Sequence, residues 1–340
     1  MKLCDRWTMR VGAGIAAFIA LAVGGGAFYE QLSQYRAARD FPPPGKMVDV
    51  GGRRIQLNCE GVGSPTVVFE SGLSVEGSLT WSDVQPQVAK RTRTCSYSRA
   101  GLMWSDASTA SADINRVAHD LHSALTNGGE EGPLVLVGHS LGGPYVMGYT
   151  KYFGDEVAGL VLVDASHPDQ VQRVAGVTTE SRSALSRAAV SLAWTGALRA
   201  IMPALLPPGS HHAPRNAQAI QAYAAKSFVT LFEENDVIDS TLEEAGTFRN
   251  LGDRPLIVLT AMAPFTEPEL RAMKITQVQG AQVKSIWREL QQDEASWSSR
   301  SRHVLMPHAG HNIQKEDPGA VVESVLSVVD AVRGSTTTKR

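Results

Sequence analysis

The sequence predicts an α/β protein: a mostly parallel sheet with helices on both faces, a helical cap inserted over one edge of the sheet, and an apolar membrane-anchor helix ahead of it. Three observations predict it. Short continuous apolar runs alternate with stretches of helical spacing, the alternation lapses once between Ala165 and Asn250, and Val11 to Tyr29 carries no charged residue. With 340 residues, 43% of them hydrophobic and 19% charged, the chain has the means to bury a sizeable core, which excludes disorder and miniature disulfide scaffolds. A formal net charge of −2 without a basic run gives no electrostatic footprint for nucleic acid, so none is expected as a partner.

Residues 1–30 read as a signal anchor. Lys2, Arg6 and Arg10 outnumber Asp5 ahead of the uncharged stretch, which keeps that end cytoplasmic and sends the rest across a membrane. Gly26, Ala27 and Phe28 fit a cleavage site poorly, so an uncleaved anchor is favoured over a secreted product. Residues 31–46 follow as a linker, where Phe41-Pro42-Pro43-Pro44-Gly45 favours an extended, semi-rigid spacer.

The folded core is expected over 47–164 and 251–335. Met47 to Val50 and Arg54 to Cys59 flank Gly51-Gly52, a hairpin signal because both turn positions tolerate positive φ. Strands follow at Thr66 to Glu70, Thr92 to Tyr97, Leu134 to Val137, Leu160 to Val163, Leu256 to Thr260 and His303 to Met306, each of the kind that is buried on both faces of a parallel sheet. Ile114, Val117, Ala118, Leu121 and Leu125 form a helical stripe before Gly128. Val321, Val322, Val325, Val328, Val329 and Val332 form another before Gly334, and each glycine is placed as a C-cap. The cap, 165–250, holds no convincing strand, and Pro203, Pro207, Pro208 and Pro214 divide it into short pieces. Lying between two strands, it folds over the carboxyl edge where open α/β sheets bind ligands.

The chemistry is read at Gly138-His139-Ser140-Leu141-Gly142, directly after the strand Leu134 to Val137 and before a run of small residues from Gly143. This is the G-x-S-x-G pattern, in which a serine stands on a tight strand-to-helix turn and the glycines leave room for neighbouring backbone. With the blocks Phe69-Glu70-Ser71-Gly72-Leu73, Tyr97-Ser98-Arg99-Ala100-Gly101 and Ala309-Gly310-His311, the chain resembles a serine hydrolase of the α/β-hydrolase superfamily, esterase- or lipase-like, over roughly Met47 to Gly334. It departs from the usual pattern at two positions outside the catalytic set, Ser98 in place of Asp and Met103 in place of Gly.

The resemblance implies a Ser, acid, His order along the chain. Ser140 is the expected nucleophile and His311 its base, in a Gly-containing loop after the last strand; His308 is the competitor, while His303 and His308 fall on or at the end of that strand. The acid is expected at Asp164, after the strand Leu160 to Val163, because the commoner place after Leu256 to Thr260 offers only Glu267 and Glu269. The backbone N–H groups of Leu73 and Leu141 are the expected oxyanion donors, with Gly72 allowing the close approach.

The same resemblance makes Cys59 and Cys95 neighbours across two strands, so a disulfide is expected in an oxidising compartment. No Cys/His cluster has metal spacing and no phosphate loop is present, so neither metal nor cofactor is expected; His211-His212 reads as a solvated turn. The expected substrate is a small apolar ester, with an amidase, peptidase or thioesterase on the same residues, or a non-catalytic binding protein of this fold, as alternatives. Leu192, Trp194, Leu198, Ile201, Met202, Leu205 and Leu206 make the cap apolar, either packed inward or facing lipid.

Overall fold

A computed structural model describes residues 2–108, 112–175, 177, 190–205 and 212–337. Eight strands form one sheet: β1 (Lys46–Asp49), β2 (Arg54–Glu60), β3 (Thr66–Glu70), β4 (Thr94–Ser98), β5 (Leu134–His139), β6 (Val157–Val163), β7 (Leu256–Ala261) and β8 (Ser301–Met306). Their order is β1-β2-β4-β3-β5-β6-β7-β8, antiparallel at β1/β2 and β2/β4 and parallel from β4 to β8. Gly51 and Gly52 both take positive φ in the β1–β2 turn, and the Asp49 carboxylate accepts both of their N–H groups.

Strand alternation builds a core on each face. Val68, Leu134, Leu136, Leu160, Leu162 and Leu256 pack against α3 (Ile114–Asn127) and α4 (Gly142–Tyr152). Phe69, Val135, Val137, Val161 and Leu259 pack instead against α2 (Gln85–Val88), α11 (Ile313–Glu316) and α12 (Pro318–Thr337). Strand β5 lies in the middle of the order, between β3 and β6, and is buried along its whole length. Cys59 and Cys95 face each other in the β2/β4 register and are joined by a disulfide.

Between β6 and β7 the described residues hold α5 (Gln170–Val174), α6 (Ala197–Leu205), α7 (Pro214–Asp236) and α8 (Ile238–Ala245), with no strand among them. Two further helices, α9 (Glu267–Met273) and α10 (Gln277–Ser296), follow β7. Leu198 and Met202 of α6 pack inward on Ala224 and Ala225, whereas Leu192, Trp194 and Ile201 are about half exposed, so the apolar residues of this insertion divide between its own core and its surface. Leu206 lies outside the described residues.

Three expectations are corrected. Helix α1 (Lys2–Asp40) runs through most of the segment read as an extended spacer, and only residues 41–45 remain non-helical. Packing decides this: Ala37 is buried among Met103, Ala219, Ile220 and Tyr223, which extends the helix to Asp40, one residue short of Phe41 that precedes the prolines. Gly334 does not end its helix, because Arg333 bonds the Ser64 and Arg91 carbonyls and the Ser335 hydroxyl bonds the Ala331 carbonyl on either side of it. Gly128 does cap α3, but with φ −76; the left-handed residue is Gly129. At Gly128 a side chain would strike the Ala124 carbonyl and Leu57. Finally, His212 is buried rather than solvated, 3.3 Å from Glu76, while His211 lies outside the described residues.

Candidate active site

The turn between β5 and α4 holds Ser140 at φ +52, a left-handed conformation that a serine keeps only when its surroundings impose it. Ser140 N–H donates to the Val163 carbonyl at 3.2 Å, and its own carbonyl accepts from Gly143 and Ser166 at 2.9 Å. The flanking glycines are required by contact. A Cβ on Gly138 would lie 2.6 Å from the Gly142 carbonyl, and one on Gly142 would lie 2.6 Å from the Glu70 carbonyl.

His311, in the loop after β8, reaches this serine: its Nε2 lies 3.0 Å from Ser140 Oγ and its Nδ1 2.7 Å from Asp164 Oδ2. These partners assign the proton to Nδ1 and leave Nε2 to accept from the hydroxyl. Asp164 follows β6 at φ +43, and its carboxylate is 4% exposed while the imidazole is 49% exposed. The other oxygen, Oδ1, accepts from Ala261 N–H and Trp287 Nε1–H, both at 2.8 Å, so the carboxylate faces three donors. The structure brings Ser140, Asp164 and His311 together and leaves the competitors elsewhere. His308 is exposed, His303 bonds Thr260 and Gln292, and Glu267 faces Arg271 at the surface while Glu269 caps α9 through Thr266.

Leu141 follows Ser140 and is buried against Ile114 and Tyr145, with the partly buried Leu73 packed on the same cluster. Among the described residues, neither the Leu73 nor the Leu141 N–H donates to a protein acceptor. Gly72 brings the Leu73 loop close, since a Cβ there would lie 2.8 Å from the Ser140 Cβ.

Two supporting groups escaped the sequence reading. His139 is buried and donates from Nε2 to the His311 carbonyl at 2.9 Å; burial, then the neighbouring His311, depress its pKa to about 3, so it stays neutral. Its position beside the serine was the available signal. Arg99, 3% exposed, donates to the Ser71 and Gly72 carbonyls at 2.5 and 2.9 Å, to Glu70 at 2.6 Å, and to Glu234 of α7. Burial opposes its charge, but Glu234 and Glu70 outweigh that and raise its pKa well above the ordinary value. The two family departures are accommodated locally. Ser98 bonds Gln56, and Met103 takes φ +45 with its N–H on Ser227 and its carbonyl on Lys226.

Comparison with known proteins places this geometry. An uncharacterized protein of Bacillus subtilis, YbdG, is 26% identical over 161 residues, 47% of this chain and 50% of that protein, and the chain spans half or less of the curated relatives it matches. Among solved structures, an esterase from Thermogutta terrifontis superposes with a TM-score of 0.57 at 18% identity, covering 85% of this chain and 98% of that one. An epoxide hydrolase, CorEH, superposes at 0.56 and 16% identity over 84% and 98%, so likeness at this level fixes the fold and not the reaction. The profile of the alpha/beta hydrolase family matches residues 67–324, a span running from β3 into α12 and containing the serine, the aspartate and the histidine, and the chain belongs to that family.

Proposed function

We propose that this protein is a serine hydrolase of carboxylic esters that works through an acyl-enzyme. The observation that carries the reading is His311, hydrogen-bonded to Ser140 on one side and to Asp164 on the other. Ser140 Oγ adds to the ester carbonyl while His311 Nε2 takes its proton, and Asp164 stabilises the resulting imidazolium. The oxyanion is held by the N–H groups of Leu73 and Leu141, which are already in place before charge develops. Collapse breaks the C–O bond, and the alcohol leaves with the proton from His311. Water then repeats the sequence on the acyl-serine, its proton passing through His311 back to Ser140 as the acid departs. A serine at the elbow disfavours epoxide opening, for which relatives use an aspartate there.

Helix α1 is the one helix among the described residues long and apolar enough to cross a membrane, and from Val11 to Ala22 it is exposed throughout, with Phe18 and Leu21 more than 70% exposed. It anchors the protein in this reading, with the catalytic residues on the extracytoplasmic side. Labelling by a fluorophosphonate, abolished in Ser140→Ala, and a screen of p-nitrophenyl esters of rising chain length test the chemistry. Turnover in Ser140→Ala within about 10⁴-fold of the parent would refute it. Resistance of the chain to alkaline carbonate extraction tests the anchor.

A further inference from the structure

The insertion between β6 and β7 grips α1 inside its apolar stretch. Along α1, Glu30 and Ala37 are buried and Val23, Gly26, Ala27 and Ser33 are partly buried, a stripe at helical spacing that marks one contacted face. A Cβ on Gly26 would run into the Thr195 carbonyl, and one on Gly196 would lie 2.8 Å from the Gly26 carbonyl, so backbone meets backbone there. Glu30, the first charged residue after Arg10, is buried by Arg199 of α6, Nε to Oε2 at 2.7 Å and Nη2 to Oε1 at 2.8 Å. Arg199 also donates to the Ala222 carbonyl of α7 at 2.8 Å, so the clamp extends through the insertion.

Gly26 to Glu30, the end of the apolar stretch, spans about 6 Å of helix axis at 1.5 Å per residue, comparable to the zone between hydrocarbon and water on one side of a bilayer. Beside the Thr195–Gly196 turn, where a Cβ on Gly196 would lie 3.3 Å from Tyr29, the insertion carries Leu192, Trp194 and Ile201, each 51–58% exposed, as Phe28 and Tyr29 of α1 are also exposed. Trp and Tyr prefer this depth because most of the ring is apolar while the Trp N–H donates, and the Tyr hydroxyl donates or accepts, hydrogen bonds at the wet side.

We propose that the edge of the insertion bearing Leu192, Trp194 and Ile201 is seated in the interfacial layer of the bilayer that α1 crosses, held there by the Gly26–Thr195 contact and the Glu30–Arg199 pair. The occupant is the lipid surface itself, and the apolar span of α1 runs continuously into this edge. The catalytic domain is then fixed relative to the membrane by two contacts instead of swinging on a tether. This rests on the anchor reading of α1.

The test uses the full chain in phosphatidylcholine vesicles brominated at the 6,7 position of one acyl chain, in a Trp7→Phe background that silences the tryptophan at the far end of the span. The Trp194 signal is the difference between this protein and the same protein carrying Trp194→Phe, an exposed position where the change leaves packing intact. The expected result is at least twofold quenching of that signal by the bromolipid, with protection from aqueous acrylamide. An unquenched, acrylamide-accessible signal from a chain that still resists carbonate would overturn the seating and spare the anchor. Release by carbonate would overturn both.

Discussion

Arg99 and Glu234 form a bidentate pair buried on both sides, Nε to Oε1 at 2.7 Å and Nη2 to Oε2 at 2.8 Å, joining the loop after β4 to a helix of the insertion. The same guanidinium holds the carbonyls of Ser71 and Gly72, immediately before the Leu73 N–H. Arg99→Met leaves Glu70 and Glu234 buried without their cation, an expected loss of about 3–5 kcal/mol. Where the variant folds, kcat should fall with KM nearly constant. Glu234→Gln keeps the shape and should lose less on both counts. Urea denaturation and ester kinetics measure both; an Arg99→Met protein that folds with unchanged kcat would detach Arg99 from the chemistry.

Gly72→Ala puts a methyl group 2.8 Å from Ser140 Cβ and 3.0 Å from His139 Nδ1. The Leu73 loop must retreat by a few tenths of an ångström, away from the position the oxyanion needs. We expect roughly a 10- to 100-fold loss in kcat, on the scale of a weakened oxyanion donor, with thermal stability little changed.

The assignment of the acid divides two substitutions. Asp164→Asn should lower kcat by about 10⁴-fold through the wrong imidazole tautomer, while Glu267→Gln, at a surface carboxylate, should be silent. The reverse ranking would move the acid to α9.

Glu294 is buried on α10 and its pKa is raised well above the ordinary 4.5, by burial first and then by Asp164 and Asp293. Its neutral form is the one that folds. The unfolded chain releases this proton above about pH 4.5 and the folded chain does not, so stability is greatest below that pH and declines as pH rises, by up to about 1.4 kcal/mol per pH unit while the two states differ by a full proton. Glu294→Gln should therefore stabilise the protein at pH 8 and do little at pH 4. Equal effects at both pH values in urea titrations would mean that Glu294 is ionised in the fold.

The Cys59–Cys95 bond closes a loop of 36 residues between two paired strands. Replacing both by serine should lower stability by about 2–4 kcal/mol. Peptide mapping without reductant, on protein made in an oxidising compartment, should recover the linked pair; two free thiols would contradict it.

What could be read in the sequence follows the range of the interactions. The elbow at Ser140 was legible because its cause is local: a buried strand, a tight turn and glycines two residues either side that neighbouring backbone requires. The loop holding His311 was legible for the same reason. Asp164 was harder, because what identifies its carboxylate, the N–H groups of Ala261 and Trp287, comes from residues 97 and 123 positions away. Arg99 and Glu234 are separated by 135 residues, and neither neighbourhood announces the other. The prolines at 42–44 fix only their own neighbourhood, and residues 31–40 ahead of them are helical. Those residues take their conformation from Ala37 packing on the insertion, a tertiary cause with no local sign.

The continuity of α1 into the fold decides where the chain can be cut. A cleavage before Lys46 would leave every strand of the sheet whole yet strip Ala37 and Phe41 from the cluster around Trp104 and Tyr223, and leave Arg199 buried without Glu30. If α1 is the anchor proposed above, a version freed from lipid should begin a few residues ahead of Glu30, inside the apolar segment, because the contacts with the folded domain start within the helix and not at the prolines.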